Sequence, residues 1–281
     1  MIWRCPNCQA VFEKNNSGWR CQNGHSFDMA KQGYVNLLLA NQKNSRDPGD
    51  NRDMVAGRRA FLQQGHYHPL VAAIASLLEP HLTRHPQAFD QTLQLLDLGC
   101  GEGYYVKALS DILPAVSDGN VSPNGLDISR EAVKRAAKLL PNGNFCIGSS
   151  YRVPVADASV DIALQVFAPV ADAELGRILA PSGVWLRVTP GPRHLYQLKA
   201  ALYEQVREHD EPPVPEGFRL IAQTRPRFPL MLKGEASIAN LLAMTPFGWH
   251  GSREGHRALV ALNEFTTEAD FLVQLMSLEE N

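Results

Sequence analysis

Short apolar runs and helix-spaced apolar positions take turns along the middle of this chain. QLLDL, ending near Asp97, reads as a buried strand, and Val106, Leu109, Ile112 and Leu113 after it share one helical face. NGLDIS predicts a second strand ending at Asp127, followed by a helix from Arg130 to Leu140 whose apolar side is Ala132, Val133, Ala136, Ala137 and Leu140. A third strand begins at Asn144 and a fourth spans Val160 to Phe167. Asp172 to Ala180 is the next helix and a fifth strand begins at Gly183. Leu195, Leu198, Leu202 and Val206 then mark a core-facing helix. Such regular alternation argues for an α/β fold with a doubly wound, Rossmann-like parallel sheet, whose ligands lie beyond the carboxyl ends of the strands. AVSDGNVSPN, before Gly125, reads as a surface loop from its Ser, Asp, Asn, Gly and Pro content.

The first 40 residues follow no such pattern. Val11 and Phe12 are the only apolar strand positions between Cys8 and Trp19, and Asn15 to Gly18 reads as a turn. What this segment has instead is chemistry: Cys5 and Cys8 form a CxxC pair, and Cys21 and His25 form CxxxH. Two short-spaced pairs across a hairpin-length loop supply the four tetrahedral thiolate and imidazole ligands that zinc takes in structural sites. So small a module lacks a core of its own, so metal binding contributes folding free energy on the order of 10 kcal/mol. The expected division is a zinc-binding module at 1–40, a Gly-, Pro- and Asp-rich linker at 41–66 and a second domain at 67–281.

Composition fits that division: 281 residues, 44% hydrophobic, suit one large core with an appendage. The net charge of −2 makes no global case for nucleic acid, yet residues 1–60 hold nine Lys/Arg against five Asp/Glu, a basic head on an acidic body. The apolar runs fall short of the roughly 20 residues that span a membrane, so no membrane association and a cytoplasmic location are expected. Clustered cysteines there hold metal more readily than disulfides.

Gly99, Gly101 and Gly103 after the first strand give GxGxG. Tyr104 stands where the pyrophosphate-binding GxGxxG form continues, and no GK(S/T) follows, so neither a dinucleotide fingerprint nor a P-loop is present. Asp127 at the end of the second strand suits the hydroxyls of a ribose.

LLDLGCGEGYY with GLDIS downstream resembles the class I S-adenosylmethionine-dependent methyltransferases. The order zinc cluster, FDMAKQGYVNLL, RDPGD, GRRAFLQQGHYHPL, GCGEGYY and TPGPRHL is similar to the RlmA-type bacterial 23S rRNA (guanine-N1)-methyltransferases, over nearly the whole chain. The resemblance implies S-adenosylmethionine as cofactor, one structural zinc held by Cys5, Cys8, Cys21 and His25, and a 23S rRNA hairpin of domain II as partner. It implies methylation at nucleotide 745 and a homodimer. For the cofactor it implies Tyr67, Gly99, Gly101, Glu102, Gly103, Asp127 and His194, with Ser149 and Ser150 near the adenine.

The group that relieves guanine N1 of its proton has no motif and stays unassigned. Asp157, Asp161 and Asp172 are candidate bases and Arg193 a candidate O6 stabiliser. For RNA, Arg4, Arg20, Lys31, Arg58 and Arg59 are expected to meet phosphates, and Trp3 and Trp19 to stack on bases, with Trp249 as a further aromatic surface. Two other readings compete: a small-molecule methyltransferase with a structural zinc, and a non-catalytic zinc-containing RNA-binding protein.

Overall fold

The structure is a computed structural model that describes residues 1–15, 17–42, 49–84, 92–117 and 120–279. Its head is a three-stranded antiparallel sheet, β1 (Phe12–Lys14), β2 (Gly18–Cys21) and β3 (Ser26–Asp28). Asn15 closes the first hairpin, its Oδ1 accepting from the backbone N–H groups of Ser17 and Gly18, each at 2.9 Å. Gly18 is required because a Cβ there would lie 2.3 Å from the Phe27 carbonyl oxygen.

After β4 (Tyr34–Asn36) come α1 (Arg52–Gln63), α2 (His68–Arg84), β5 (Leu93–Leu98), α3 (Tyr104–Ser117), β6 (Val121–Asp127) and α4 (Arg130–Leu139). They are followed by β7 (Asn144–Ile147), β8 (Val160–Val166), α5 (Asp172–Ile178), β9 (Leu179–Pro190) and α6 (Tyr196–Leu202). The C-terminal part adds β10 (Phe218–Thr224), β11 (Arg227–Lys233), α7 (Glu235–Met244), α8 (Phe247–His250), α9 (Arg253–Val260) and β12 (Glu264–Leu278).

The large sheet runs β10-β12-β9-β8-β5-β6-β7-β4, with β11 also on β12. From β9 to β4 the pairing is parallel, and β12 pairs antiparallel with β9, β10 and β11. This is the expected α/β sheet, and its strand order reverses between β5 and β8. Two cores cover its faces. On one, Leu93 and Leu95 meet α2, α3, α4 and α7 through Leu78, Leu109, Val133 and Leu241. On the other, Leu96, Leu98, Leu126 and Cys146 meet α5 and the head's own Ile2, Trp3, Phe12 and Trp19.

That second face explains why the head is attached as it is. No helix lies between β7 and β8, so part of the sheet would face water there if the head did not cover it. The Arg4 N–H donates to the Pro154 carbonyl at 2.8 Å, the Ala156 N–H to the Ile2 carbonyl at 2.9 Å, and Trp3 Nε1 to Asn124 Oδ1 at 3.1 Å. Trp3 and Trp19 are therefore buried, ring centroids 5.9 Å apart. They cannot stack on RNA, which corrects the sequence expectation.

Three further elements differ from expectation. AVSDGNVSPN is largely the end of α3 and the start of β6, and its Asn124 is buried as the Trp3 partner; residues 118–119 lie outside the described residues. The expected linker carries α1, started by Asn51, whose Oδ1 accepts from the N–H groups of Asp53 and Met54. Its buried side (Val55, Gly57, Phe61, Leu62) packs on α7, where a Cβ on Gly57 would lie 2.8 Å from the Ala243 Cβ. β12 was not anticipated at all; its run from Asp270 to Met276 is buried between neighbours on both sides.

Candidate functional site: a cysteine–histidine cluster and a strand-end cavity

The four cluster residues converge as their spacing predicts. Cys5 turns back at once, its carbonyl accepting from the Gln9 N–H at 2.8 Å, while the Cys21 N–H donates to the His25 carbonyl at 2.9 Å across Gly24, whose φ is 84°. The three Sγ atoms and a His25 nitrogen lie within 4.8 Å of one another. His25 Nδ1 is 3.6, 3.4 and 3.4 Å from Cys5, Cys8 and Cys21 Sγ, and the sulfurs of Cys8 and Cys21 are 3.7 Å apart. Zinc–sulfur bonds near 2.3 Å and zinc–nitrogen bonds near 2.0 Å in a tetrahedron require edges of about 3.8 and about 3.5 Å. The donor set and its spacing fit zinc.

A cavity of about 950 Å³ opens beyond the carboxyl ends of β5, β6, β8 and β9, where the strand order reverses. Gly99, Gly101, Glu102, Asp127, Tyr67 and His194 all line it. Asp127 organises the glycine loop: its Oδ2 accepts from the Gly101 N–H at 2.9 Å and its Oδ1 from the Ser129 N–H at 2.7 Å. Burial raises its pKa and these two bonds oppose the rise. Gly101 has a φ of 54° and nothing within 4 Å of where a Cβ would stand, so the loop offers bare backbone to a ligand.

Glu102 Oε2 is buried without a partner, and burial pushes its carboxyl up to about 7 against the pull of Arg59. Asp97, in β5 just before the loop, is buried, and desolvation aided by Asp127 pushes it up to about 8. An open glycine backbone, an orphaned acceptor and a carboxylate at the second strand's end fit S-adenosylmethionine. Gly103 is the one expected cofactor residue off this wall: with φ of 87°, its Cβ position would meet Ala136 Cβ at 3.1 Å, so it seats α3 against α4.

The far wall depends on Asp270. Its carboxylate accepts from Arg225 Nε at 3.0 Å and from the Arg193 N–H at 3.0 Å, which keeps its pKa below the usual carboxylate range against the opposing effect of burial. A Cβ on Gly191 would lie 2.4 Å from this carboxylate. The Asp270 backbone N–H donates to His194 Nδ1 at 3.3 Å, leaving the Nε2 position to carry the proton of the neutral ring. Burial holds His194 down to about 3, so it stays uncharged at neutral pH. Tyr67 is buried edge-on against Phe61 and Phe271, each at 5.0 Å.

Several wall residues are not among the expected cofactor residues. Gly49, Asp50, Met54 and Arg58 come from the expected linker: the Asp50 carbonyl accepts from Ser129 Oγ at 2.8 Å and its carboxylate pairs with Arg58. Arg58 thus belongs to the cavity, a correction to its expected RNA role. Gln165, Phe167, Thr189 and His209 complete the wall at the ends of β8 and β9 and beyond α6. The capping residue Asn51 and the helical spacing after it are signals that would have revealed α1, which was expected as linker; nothing local marks Phe167 or His209.

The candidate bases lie elsewhere. Asp161 accepts from the Gln94 N–H at the opposite ends of the strands, and the exposed Asp157 pairs with Arg177 at 2.7 Å. Asp172 opens α5, and Arg193 lies 3.6 Å from Glu208 and over the Tyr196 ring. None of the four lines the cavity. Ser149 and Ser150 do line it. The Trp249 side chain lies outside the described residues.

The cluster and the cavity coincide with known families. A family profile described as "RlmA, N-terminal" matches residues 3–46, and one described as "Methyltransferase domain" matches residues 95–183. A "23S rRNA (guanine(748)-N(1))-methyltransferase" from Streptomyces fradiae is 36% identical over 253 residues, 88% of this chain and 85% of the relative. A "Putative 23S rRNA (guanine-N(1)-)-methyltransferase" from Micromonospora griseorubida is 31% identical over 88% of this chain and 86% of its own. By contrast, a malonyl-[acyl-carrier protein] O-methyltransferase from Serratia marcescens is 32% identical over only 40% of this chain and 44% of the relative.

Proposed function

The chain belongs to the RlmA-type family of 23S rRNA (guanine-N1)-methyltransferases, and we propose that it methylates N1 of a guanine in the domain II hairpin, at nucleotide 745. The observation that carries the reading is the pairing, on one sheet, of a zinc-fitting head with a strand-end cavity built around GxGxG and Asp127. Similarity to rRNA enzymes over 88% of the chain favours it over a small-molecule methyltransferase, since the malonyl-[acyl-carrier protein] O-methyltransferase matches only 40% of the chain. The open cavity and free Glu102 acceptor speak against a non-catalytic RNA-binding protein.

S-adenosylmethionine supplies the electrophilic methyl group when bound. Asp127, with lone pairs left after two backbone bonds, receives the ribose hydroxyls. Gly101 admits the methionine part against bare backbone, Gly99 lets the loop close onto Ala168, and Glu102 offers the ligand a buried acceptor. Tyr67 and neutral His194 close the cavity behind it, their orientation fixed by Phe271 and Asp270. Ser149 and Ser150 border the adenine end. With these groups set rigidly around the cavity, the chain contributes positioning and exclusion of water, the main needs of an in-line displacement.

The head at 1–40 belongs to RNA recognition in this reading, through Arg20 and Lys31, which are exposed, and the half-buried Arg4. The reading places the enzyme in the cytoplasm, as a homodimer. Among the described residues no helix is long and apolar enough to cross a membrane. Mass mapping of rRNA from cells with and without the gene tests the function: one N1-methylguanosine should vanish from 23S rRNA. Loss at nucleotide 748, the position in the Streptomyces fradiae name, would keep the enzyme class and discard position 745.

A further inference from the structure

Phe167 stands just past β8 with a φ of 53°, a left-handed conformation that bulky residues rarely adopt. The surrounding structure holds it there. The Phe167 N–H donates to the Val188 carbonyl at 3.1 Å, and Gln165 Nε2 donates to the Ala168 carbonyl while Gln165 Oε1 accepts from Trp185 Nε1 at 3.1 Å. Ser150 Oγ donates to the Pro169 carbonyl at 2.6 Å. A Cβ on Gly99 would lie 2.3 Å from that of Ala168, so the glycine loop and this turn are fitted to each other.

All this holds an aromatic ring partly in the open. Phe167 is 44% exposed, and it lines the cavity. Beneath it lie His194, 5.6 Å away at 36°, and Phe271 at 5.7 Å. The groups assigned above to the ribose, the adenine and the methionine part come from the ends of β5, β6 and β7, with Tyr67 and His194 closing the cavity behind; Phe167 lies beside the end of β9. There Thr189 Oγ1 and His209 Nε2 are buried without a hydrogen-bond partner. A bare ring face beside unsatisfied polar atoms suits a planar ligand with a polar edge.

We propose that Phe167 is the platform on which the extruded acceptor guanine stacks, its polar edge toward Thr189 and His209. This rests on the rRNA reading above. A base drawn from a hairpin loses its stacking neighbours, and a pinned aromatic face replaces them without reordering. The strained turn is kept because it aims that face into the cavity.

The test uses the full-length, zinc-loaded protein, a transcript of the domain II hairpin, and Phe167→Gly and Phe167→Tyr. Glycine relaxes at this φ, so Phe167→Gly should melt within a few degrees of the unaltered protein and bind S-adenosylhomocysteine within about threefold in calorimetry. Its single-turnover methylation should slow by about 10- to 100-fold, the range of one lost base–aromatic stack. Phe167→Tyr should stay within about fivefold of the unaltered rate. Should Phe167→Gly not fold, Phe167→Leu carries the same comparison, keeping apolar bulk without a planar face. Methylation by the glycine or leucine variant at the unaltered rate overturns the proposal, as does a loss of S-adenosylhomocysteine affinity that matches the loss of rate. If the unaltered protein forms no N1-methylguanosine, the reading of function falls first, before any variant is compared.

Discussion

The metal cluster and the far wall of the cavity are assembled by opposite means. The cluster takes all four ligands from Cys5 to His25, and the spacing alone brings them within 4.8 Å. The far wall takes Tyr67, Phe167, His194 and His209 from connections between separate elements, with Asp270 supporting them from the middle of β12, and only the closed sheet makes them neighbours. A metal concentrates binding energy in one local motif, so that motif must be conspicuous. A wall built by long-range packing spreads its requirements over many ordinary residues. The two nevertheless share the sheet, since the core that buries Trp3 and Trp19 also contains Leu96, Leu98 and Trp185.

The sharpest way to break this contrast is to remove the metal. If the head folds by zinc and covers the second sheet face, Cys21→Ala or prolonged chelation should unfold β1–β3 and forfeit free energy on the order of 10 kcal/mol. The damage should reach the sheet, because Leu126 and Cys146 would lose the two tryptophans above them. The expected outcome is a fall in melting temperature of the whole chain together with loss of zinc by elemental analysis. A chelated protein that melts as the zinc-bound one does would show that packing alone holds the head.

The cavity side carries its own cost, in buried charge. Asp97 is pushed up to about 8 by burial and by Asp127, with Oδ2 unpartnered. Its folded pKa lies above its unfolded value, so its contribution is fully favourable below about 4. It is lost progressively as pH rises toward about 8, by a few kcal/mol in all. Asp97→Asn should therefore flatten the decline of stability between those limits and be the more stable protein at pH 9. Denaturant titrations at pH 5 and pH 9 check it, and parallel pH profiles for the two proteins would refute it.

What could be read in advance follows the same division. The strands ending at Asp97 and Asp127, α4 and the CxxC and CxxxH pairs are local patterns, and each stands where its pattern placed it. Trp3 and Trp19 misled because a short, basic module looks solvent-exposed in isolation. Their burial depends on a missing helix between β7 and β8 that only the completed sheet exposes. Val121–Asn124 looked like loop from its Ser, Pro and Asn, yet Asn124 is polar because Trp3 Nε1 needs an acceptor there. Phe167 gave no sign at all, since a positive φ at a non-glycine residue is imposed by its surroundings.

The smallest expected effect sharpens the contrast from the head's outer side. Arg20 and Lys31 are exposed, and among the described residues neither is in an ion pair that would cost stability to break. Their replacement by Ala should change folding stability by no more than about 0.5 kcal/mol. If the head meets phosphates through them, each change should weaken binding of the hairpin transcript about equally for matched and scrambled loop sequences. It should also reduce the slope of log affinity against log salt by about one. Arg4, whose Nη1 donates to the Trp3 carbonyl at 3.2 Å, is partly committed to the fold, so Arg4→Ala should lower both stability and affinity. Filter binding between about 50 and 200 mM salt, with melting curves for each variant, separates the two behaviours. An unchanged slope for both Arg20→Ala and Lys31→Ala would move the phosphate contacts off the head and leave its zinc with the covering of the sheet as its sole task.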